Sequence, residues 1–299
     1  MTKQPRRTRR LVPMVIACFV LAVFACGLYL AWFAPAGFFG DPEQRAINRT
    51  RAANFARASL NLRLDGTPEL ESLETRLASH GLTLGAPVLV RIFKREFELE
   101  LWMVRDGRYH RFATYPICRW SGKLGPKIFT GDKQAPEGFY TVSADQMNPN
   151  SRWHRSFNVG FPNAFDAAHG RTGSALMVHG GCSSAGCYAM TNAVIDEIWK
   201  LTTTALASGK QKRFQVQVFP FRLSEENLAN HASSPHIGFW RQLKRGSDLF
   251  ETNWLPPAVS VCQGAYRFKA GKLPEVAPLA AANCAQGDAN NVGTEKKSL

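Results

Sequence analysis

The chain reads as a mainly β protein with flanking helices, an α+β fold built on a mixed β-sheet and placed behind an N-terminal membrane helix. Three observations predict this. Short apolar or alternating runs recur between Pro87 and Pro220, only one long stretch within them has helical periodicity, and a long uncharged run precedes them all.

The uncharged run goes from Leu11 to Gly40, and Leu11 to Phe33 alone exceeds the roughly 20 apolar residues that span a bilayer as a helix. Residues 1–10 form a basic arm with Lys3, Arg6, Arg7, Arg9 and Arg10 and no anion, a bias that keeps this end cytoplasmic and sends the rest across the membrane. A cleaved signal peptide is the rival reading, since Ala34-Pro35-Ala36 offers small residues after the run. The run is long for an h-region of about 7–15 residues, so a retained anchor at 11–33 is expected. Net charge is +14, of which +9 lies outside the arm. That surplus draws an anionic surface or polymer. Nucleic acid is excluded as the partner by export and by the lack of any zinc-finger or aromatic-basic recognition pattern.

Asp41-Pro42-Glu43 has the cap and first-turn proline of a helix start, and a second helix is expected from Thr67-Pro68 to His80, stopped by Gly81. Residues 41–86 therefore form a helical stalk or preface. From Pro87 the period changes. Val88 to Phe93 and Phe97 to Val104 read as strands joined through the polar Lys94-Arg95-Glu96, and Arg108 to Ile117 follows the turn pair Asp106-Gly107. The Gly/Pro-rich stretch from Ser121 to Gly138 is a long loop suited to substrate contacts. Phe139 to Val142 and Ala175 to Val178 are short strands. Val194, Ile198, Leu201 and Ala205 then make Thr191 to Ser208 an amphipathic helix. Phe214, Val216 and Val218 alternate with Gln215 and Gln217 in a last strand ended by Pro220. Residues 87–222 make the central domain, 223–272 a C-terminal extension packed on it, and 273–299 a disordered tail rich in Ala, Pro, Gly and Asn.

The chemistry concentrates in His179-Gly180-Gly181-Cys182-Ser183-Ser184-Ala185-Gly186-Cys187. A metal site from His179, Cys182 and Cys187 lacks a fourth ligand and a second Cys pair, so no metal and no cofactor is expected. Of seven cysteines, Cys18 and Cys26 fall in the apolar run, leaving an odd five, and an exported domain permits disulfides. Spacing does not fix the pairs. One arrangement joins Cys262 to Cys284 and Cys118 to Cys182 and leaves Cys187 as a free thiol. In the third reading Cys187, just before a helix, is a nucleophile and His179, at a strand end, its base. Gly180, Gly181 and Gly186 permit the tight loop, and backbone N–H groups near Gly186 and Cys187 supply an oxyanion hole.

These residues resemble the L,D-transpeptidase catalytic domain (YkuD) family, whose usual pattern is His-Gly, a spacer, then Ser/Thr-His-Gly-Cys. They are most similar to its YafK-like murein branch, through Gly186-Cys187-Tyr188-Ala189-Met190-Thr191. Ser121 to Lys127, Gly131-Asp132, Pro136 to Tyr140, Asn148 to Ser151 and Gly160 to Asp166 also fit. The resemblance is dense from Pro87 to Arg222 and continues weakly through Phe239-Trp240 and Cys262. It implies a cysteine acyl-enzyme acting on peptidoglycan stem peptides, a wall-attached lipoprotein being a further partner. The domain would face the periplasm from a single-pass anchor in the inner membrane.

By motif position Cys187 is the nucleophile, His179 moves the proton and Ser184 supports the site by hydrogen bonding. Arg152, His154, Arg155 and His169 lie between the motif blocks and are candidates for the stem-peptide carboxylates. With Arg152 and His154, the residues Gly180, Gly181 and Tyr188 complete the expected substrate-binding set. His80, His110, His231 and His236 read as ordinary residues. Ala185 stands where most members have a second histidine, and Ala189 where many carry Arg or Asn. Amide hydrolysis, such as release of a lipoprotein lysine from diaminopimelate, therefore stands beside transfer to an amine. A third expectation is a non-catalytic wall-binding protein with Cys187 locked in a disulfide with Cys182.

Overall fold

The computed structural model describes residues 41–273, together with Val20, Val276 and 279–281. The expected anchor at 11–33, Val20 apart, and Cys284 lie outside the described residues. No helix among the described residues is long and apolar enough to cross a membrane. The chain divides into two compact units, 1–49 and 50–299. Helix α1 (Pro42–Ser59) runs through the division, and the second unit carries the sheets found among the described residues.

A mixed five-stranded sheet forms the centre. Its strands are β1 (Val88–Phe93), β2 (Glu98–Arg105), β3 (Arg108–Pro116), β4 (Gly138–Ser143) and β9 (Arg213–Phe219), in the order β3-β2-β1-β9-β4. The pairings are antiparallel except β1 with β9. Every residue of β1 is buried, as expected of a strand covered on both faces. On one face a smaller sheet contributes Phe157, whose ring packs edge-on against Phe214 of β9 at 5.4 Å. Two short helices, α3 (Ala164–Ala168) and α5 (Glu225–Asn230), lie in the connections. Helix α4 (Asn192–Ala207) buries Val194, Ile195, Ile198, Leu201 and Ala205, the expected stripe, after Thr191 caps its start.

The other face is unusual because it carries Arg91, Gln215 and Gln217, all buried. Arg91 donates to Gln217 Oε1, to Ser247 Oγ and to Glu251 Oε1, so helix α6 (Ile237–Asn253) satisfies the charge as it covers the sheet. Strands β10 (Ala258–Cys262), β11 (Ala265–Lys269) and β12 (Ala280–Ala281) form a third sheet beside it. Gly246 of α6 has no room for a side chain, since a Cβ there would lie 2.5 Å from Phe139.

Three expectations needed adjustment. The second helix begins later, as a 3-10 turn at Leu70–Ser72 followed by α2 (Leu73–Ser79), because Arg63 takes the carbonyls of Thr67 and Pro68. Lys94, expected in a polar turn, is fully buried. Its ammonium shares its protons among the Lys123, Gly125 and Ala135 carbonyls and Glu137 Oε1. The strand expected over Ala175 to Val178 is instead β7 (Met177–His179), since Ala175 takes a left-handed φ of 55° that breaks the extended run.

Residues 50–86 pack on the same body. Arg51 donates to Gly122 O and lies over the Trp120 ring, Asn54 donates to Ile117 O, and Leu64 packs with Cys118 and Cys182.

Candidate active site

The site stands on a four-stranded sheet ordered β5 (Met147–Ser151), β6 (His154–Asn158), β7 and β8 (Tyr188–Ala189). Strands β7 and β8 run parallel with Val178 beside Tyr188 and His179 beside Ala189. Residues paired across strands share a face, as do residues two apart on one strand. His179 ends β7 and Cys187 immediately precedes β8, so the imidazole and the thiol belong to neighbouring segments at this edge of the sheet. Phe157, Val178 and Tyr188 occupy the core face and are fully buried.

The loop between the strands is tied down at each end. Met190 N donates to His179 O and Cys182 N to Met190 O. Cys182 is bonded to Cys118, Arg119 pairs through its backbone with Ala189, and Ser121 Oγ lies 3.1 Å from Ser184 Oγ. Ser184 Oγ donates to Cys187 O at 2.7 Å, so Ser121 is the donor to Ser184. Two glycines are required for different reasons. Gly186 has φ +125°, and a Cβ on Gly180 would stand 2.6 Å from Asn192 Oδ1.

Cys187 is the free cysteine among the described residues and is partly exposed. Its pairing with Cys182, one of the sequence expectations, is overturned because Cys182 is joined to Cys118. The same bond removes Cys182 from any metal set. Cys262 is also disulfide-bonded, and its expected partner, Cys284, lies outside the described residues.

Met177 N donates to Cys187 Sγ at 3.4 Å, and the thiol reaches Ala175 O at 3.8 Å. Burial pushes the Cys187 thiol above its ordinary pKa, an effect the Met177 N–H partly offsets. Burial likewise holds the His179 imidazole below its ordinary value, against the pull of the Gly180 carbonyl. Nδ1 lies 2.5 Å from that carbonyl, an acceptor only, so Nδ1 carries the proton and Nε2 is the basic nitrogen. Burial thus favours the uncharged form of both groups.

The other expected site residues fall in different places. Gly180 and Gly181 follow His179, and Gly181 N donates to Asn192 Oδ1. Tyr188 is buried, with its hydroxyl on Pro136 O at 2.6 Å, so it braces β8 from the core side and offers substrate no surface. His154 Nε2 meets Asp196 Oδ1 at 2.8 Å, and Arg155 meets the same carboxylate at 3.4 Å. His154 lies against Gly180, on which a Cβ would stand 3.1 Å from that of His154, and Asp196 rather than a free carboxylate site holds its ring. Arg152 is exposed over Trp153, and His169 stacks on Phe165. A cavity of about 400 Å³ adjoins Gly181 and Cys182 and is lined also by Phe55, Leu62 and Asn192. Cys187 and His179 do not line it.

Sequence reasoning missed Trp153, whose ring stacks on His179, and Ser156, which shares its face directly opposite. A large aromatic in a polar hairpin tip was the available signal for Trp153. Ser156 had none.

A free thiol just before β8 and an imidazole at the end of the adjacent β7, braced by a serine relay, make this the candidate active site. Residues 90–218 match the L,D-transpeptidase catalytic domain, YkuD, and the chain belongs to this family. It is 48% identical over 183 residues to YafK of Escherichia coli (strain K12), whose name provisionally makes it an L,D-transpeptidase. The match covers 61% of this chain and 74% of that one. YafK of Escherichia coli O157:H7 matches equally. Among solved structures, the helical cell shape determining protein Pgp2 of Campylobacter jejuni aligns with 20% identity and a TM-score of 0.37, over 59% of this chain and 65% of that one. Bd1075 of Bdellovibrio bacteriovorus aligns with 18% identity and a TM-score of 0.33, over 55% and 60%.

Proposed function

We propose that the protein is a cysteine acyltransferase of peptidoglycan, forming a thioester between Cys187 and a diaminopimelate-containing stem peptide and passing it to an amine. The observation that carries this reading is the free Cys187 thiol directly before β8, next to the parallel strand β7 that ends in His179, with His179 Nδ1 fixed on Gly180 O. His179 Nε2 takes the thiol proton as Sγ attacks the carbonyl at the L-centre of diaminopimelate. The backbone N–H groups around Gly186 and Cys187 receive the oxyanion. The C–N bond breaks, the leaving amine takes the proton from His179, and the thioester remains. An incoming amine then attacks, loses its proton to His179 and releases Cys187, which is reprotonated. In this structure Sγ accepts from Met177 N–H rather than meeting the imidazole, and catalytic hydrogen bonds commonly tighten only once substrate is bound.

Water as the acceptor is a second reading. It is favoured by Ser156, whose buried hydroxyl has no hydrogen-bond partner and stands opposite His179, where it would hold a water, and by Ala185, which adds no second imidazole. The basic arm and apolar run support a membrane anchor that places this domain in the periplasm.

The test is incubation of the chain lacking residues 1–40 with diaminopimelate tetrapeptide muropeptides and with wall bearing lipoprotein, read by mass spectrometry. A Cys187 adduct with loss of D-Ala and new 3-3 dimers supports the transferase. Lipoprotein release without dimers supports the hydrolase. An adduct that persists in Cys187→Ala refutes both.

A further inference from the structure

We propose that Trp153 is the positioning residue of the catalytic imidazole: its indole, clamped at the tip of the β5–β6 hairpin, holds His179 in the ring plane in which Nδ1 meets Gly180 O. This rests on His179 acting as the proton carrier.

The two rings stack with centroids 6.1 Å apart and 28° between planes, within the range of attractive aromatic contacts. Trp153 also sits against the loop itself, since a Cβ on Gly181 would lie 3.2 Å from its ring. The indole is 41% exposed while His179 is 2% exposed, so a large apolar side chain is held at the surface as the cover of a buried polar one. The imidazole needs that cover. The terminal torsion of a histidine is broad, and one hydrogen bond to the neighbouring carbonyl leaves the ring free to tilt. Ser156, the residue opposite, makes no hydrogen bond through its hydroxyl, so β6 gives the imidazole no polar support.

The hairpin tip is built to hold the indole still. Trp153 N donates to Ser151 Oγ, His154 adopts a left-handed φ of 69°, and His154 and Arg155 both clasp Asp196 of α4. A left-handed φ held by a hydrogen bond and an ion pair to one carboxylate is an arrangement that fixes direction. The charged or titratable groups around this corner are Arg152, His154 and Arg155 on the hairpin, Asp196 on α4, and Arg119 and Cys187 on the β8 side. None of them makes a hydrogen bond or ion pair with the imidazole among the described residues. Trp153 lies at the end of the site away from Cys187, so any effect on the chemical step passes through His179.

The experiment compares wild type, Trp153→Ala and Trp153→Phe, each checked for an unchanged thermal midpoint, in two arms. The first follows the His179 imidazole by NMR titration, assigned by its absence in His179→Gln. The second measures thioester formation on a tetrapeptide muropeptide by intact mass. We expect Trp153→Ala to raise the His179 pKa toward the ordinary histidine value and to slow acylation about 10- to 100-fold with KM little changed. Trp153→Phe should restore most of both. An unmoved titration, a loss confined to KM, or a Phe variant as impaired as Ala overturns the proposal. If wild type forms no thioester, the proposed function fails, and the titration arm still decides whether Trp153 sets the imidazole.

Discussion

The hydroxyl of Ser184 donates to the carbonyl of Cys187 at 2.7 Å and itself receives Ser121. The relay fixes the peptide that carries Cys187 from outside the strand ladder. Gly186 N also points at Ser184 Oγ, at 3.3 Å. Replacing Ser184 with Ala should lower thioester formation about tenfold or more through misplacement of the Cys187 backbone. The stability cost should be only about 1 kcal/mol in urea unfolding. A variant as fast as wild type would show that β8 alone holds the nucleophile.

The pH behaviour is set by two opposite shifts. The thiol is raised, so in the free enzyme Cys187 is protonated at neutral pH, and alkylation by iodoacetamide should climb only on the alkaline side of the ordinary cysteine value of about 8.5. The imidazole is lowered, so it remains neutral and basic as pH falls until below about 6.5. The acid limb of kcat/KM should therefore lie below that value. An alkylation rate already maximal at pH 7 would mean a resting thiolate and imidazolium.

Removing the Cys118–Cys182 bond by the double change to Ser should cost about 2–4 kcal/mol, because it releases a closed loop with a sequence separation of 64. Differential scanning calorimetry of the two forms measures this. The double change avoids leaving a lone thiol to compete for Cys187. An unchanged melting temperature would show that the Arg119–Ala189 backbone pair suffices.

Lys94 and Glu137 form a fully buried ion pair under the 121–137 loop, and Glu137 accepts further from Gly125 N and Trp240 Nε1. Lys94→Met should destabilise by about 3–5 kcal/mol by leaving the carboxylate unpaired. Chemical unfolding would check the value. The loop presents Pro136 O to Tyr188, so a partial loss of activity should accompany the loss of stability.

Much of this is legible in the sequence, because period and turn chemistry are local. Val88 to Phe93 declares a doubly covered strand, the Val194 to Ala205 stripe declares α4, and Cys187 stands out as a thiol with a base eight residues upstream. What stays hidden depends on partners distant in sequence. Lys94 reads as a polar turn until Glu137 and three carbonyls surround it. Ala175 carries no sequence mark of its left-handed φ. His154 reads as a ligand for a substrate carboxylate, yet Asp196 on α4 claims it. Trp153 sits unremarked between two basic residues, and only the fold brings it onto His179.

Strand β9 has a consequence for the order of assembly. It is inserted between β1 and β4, and Phe214 on it receives Phe157 from the smaller sheet. Until residues 213–219 arrive, β3-β2-β1 and β4 are separate pieces and the platform beneath His179 and Cys187 has no floor. The thiol is synthesised well before the last strand that supports it, and such long-range pairing is a late event in folding. In the growing chain the segment that carries His179 and Cys187 is thus made before the strand that backs it, and the site's geometry is completed only with the central sheet.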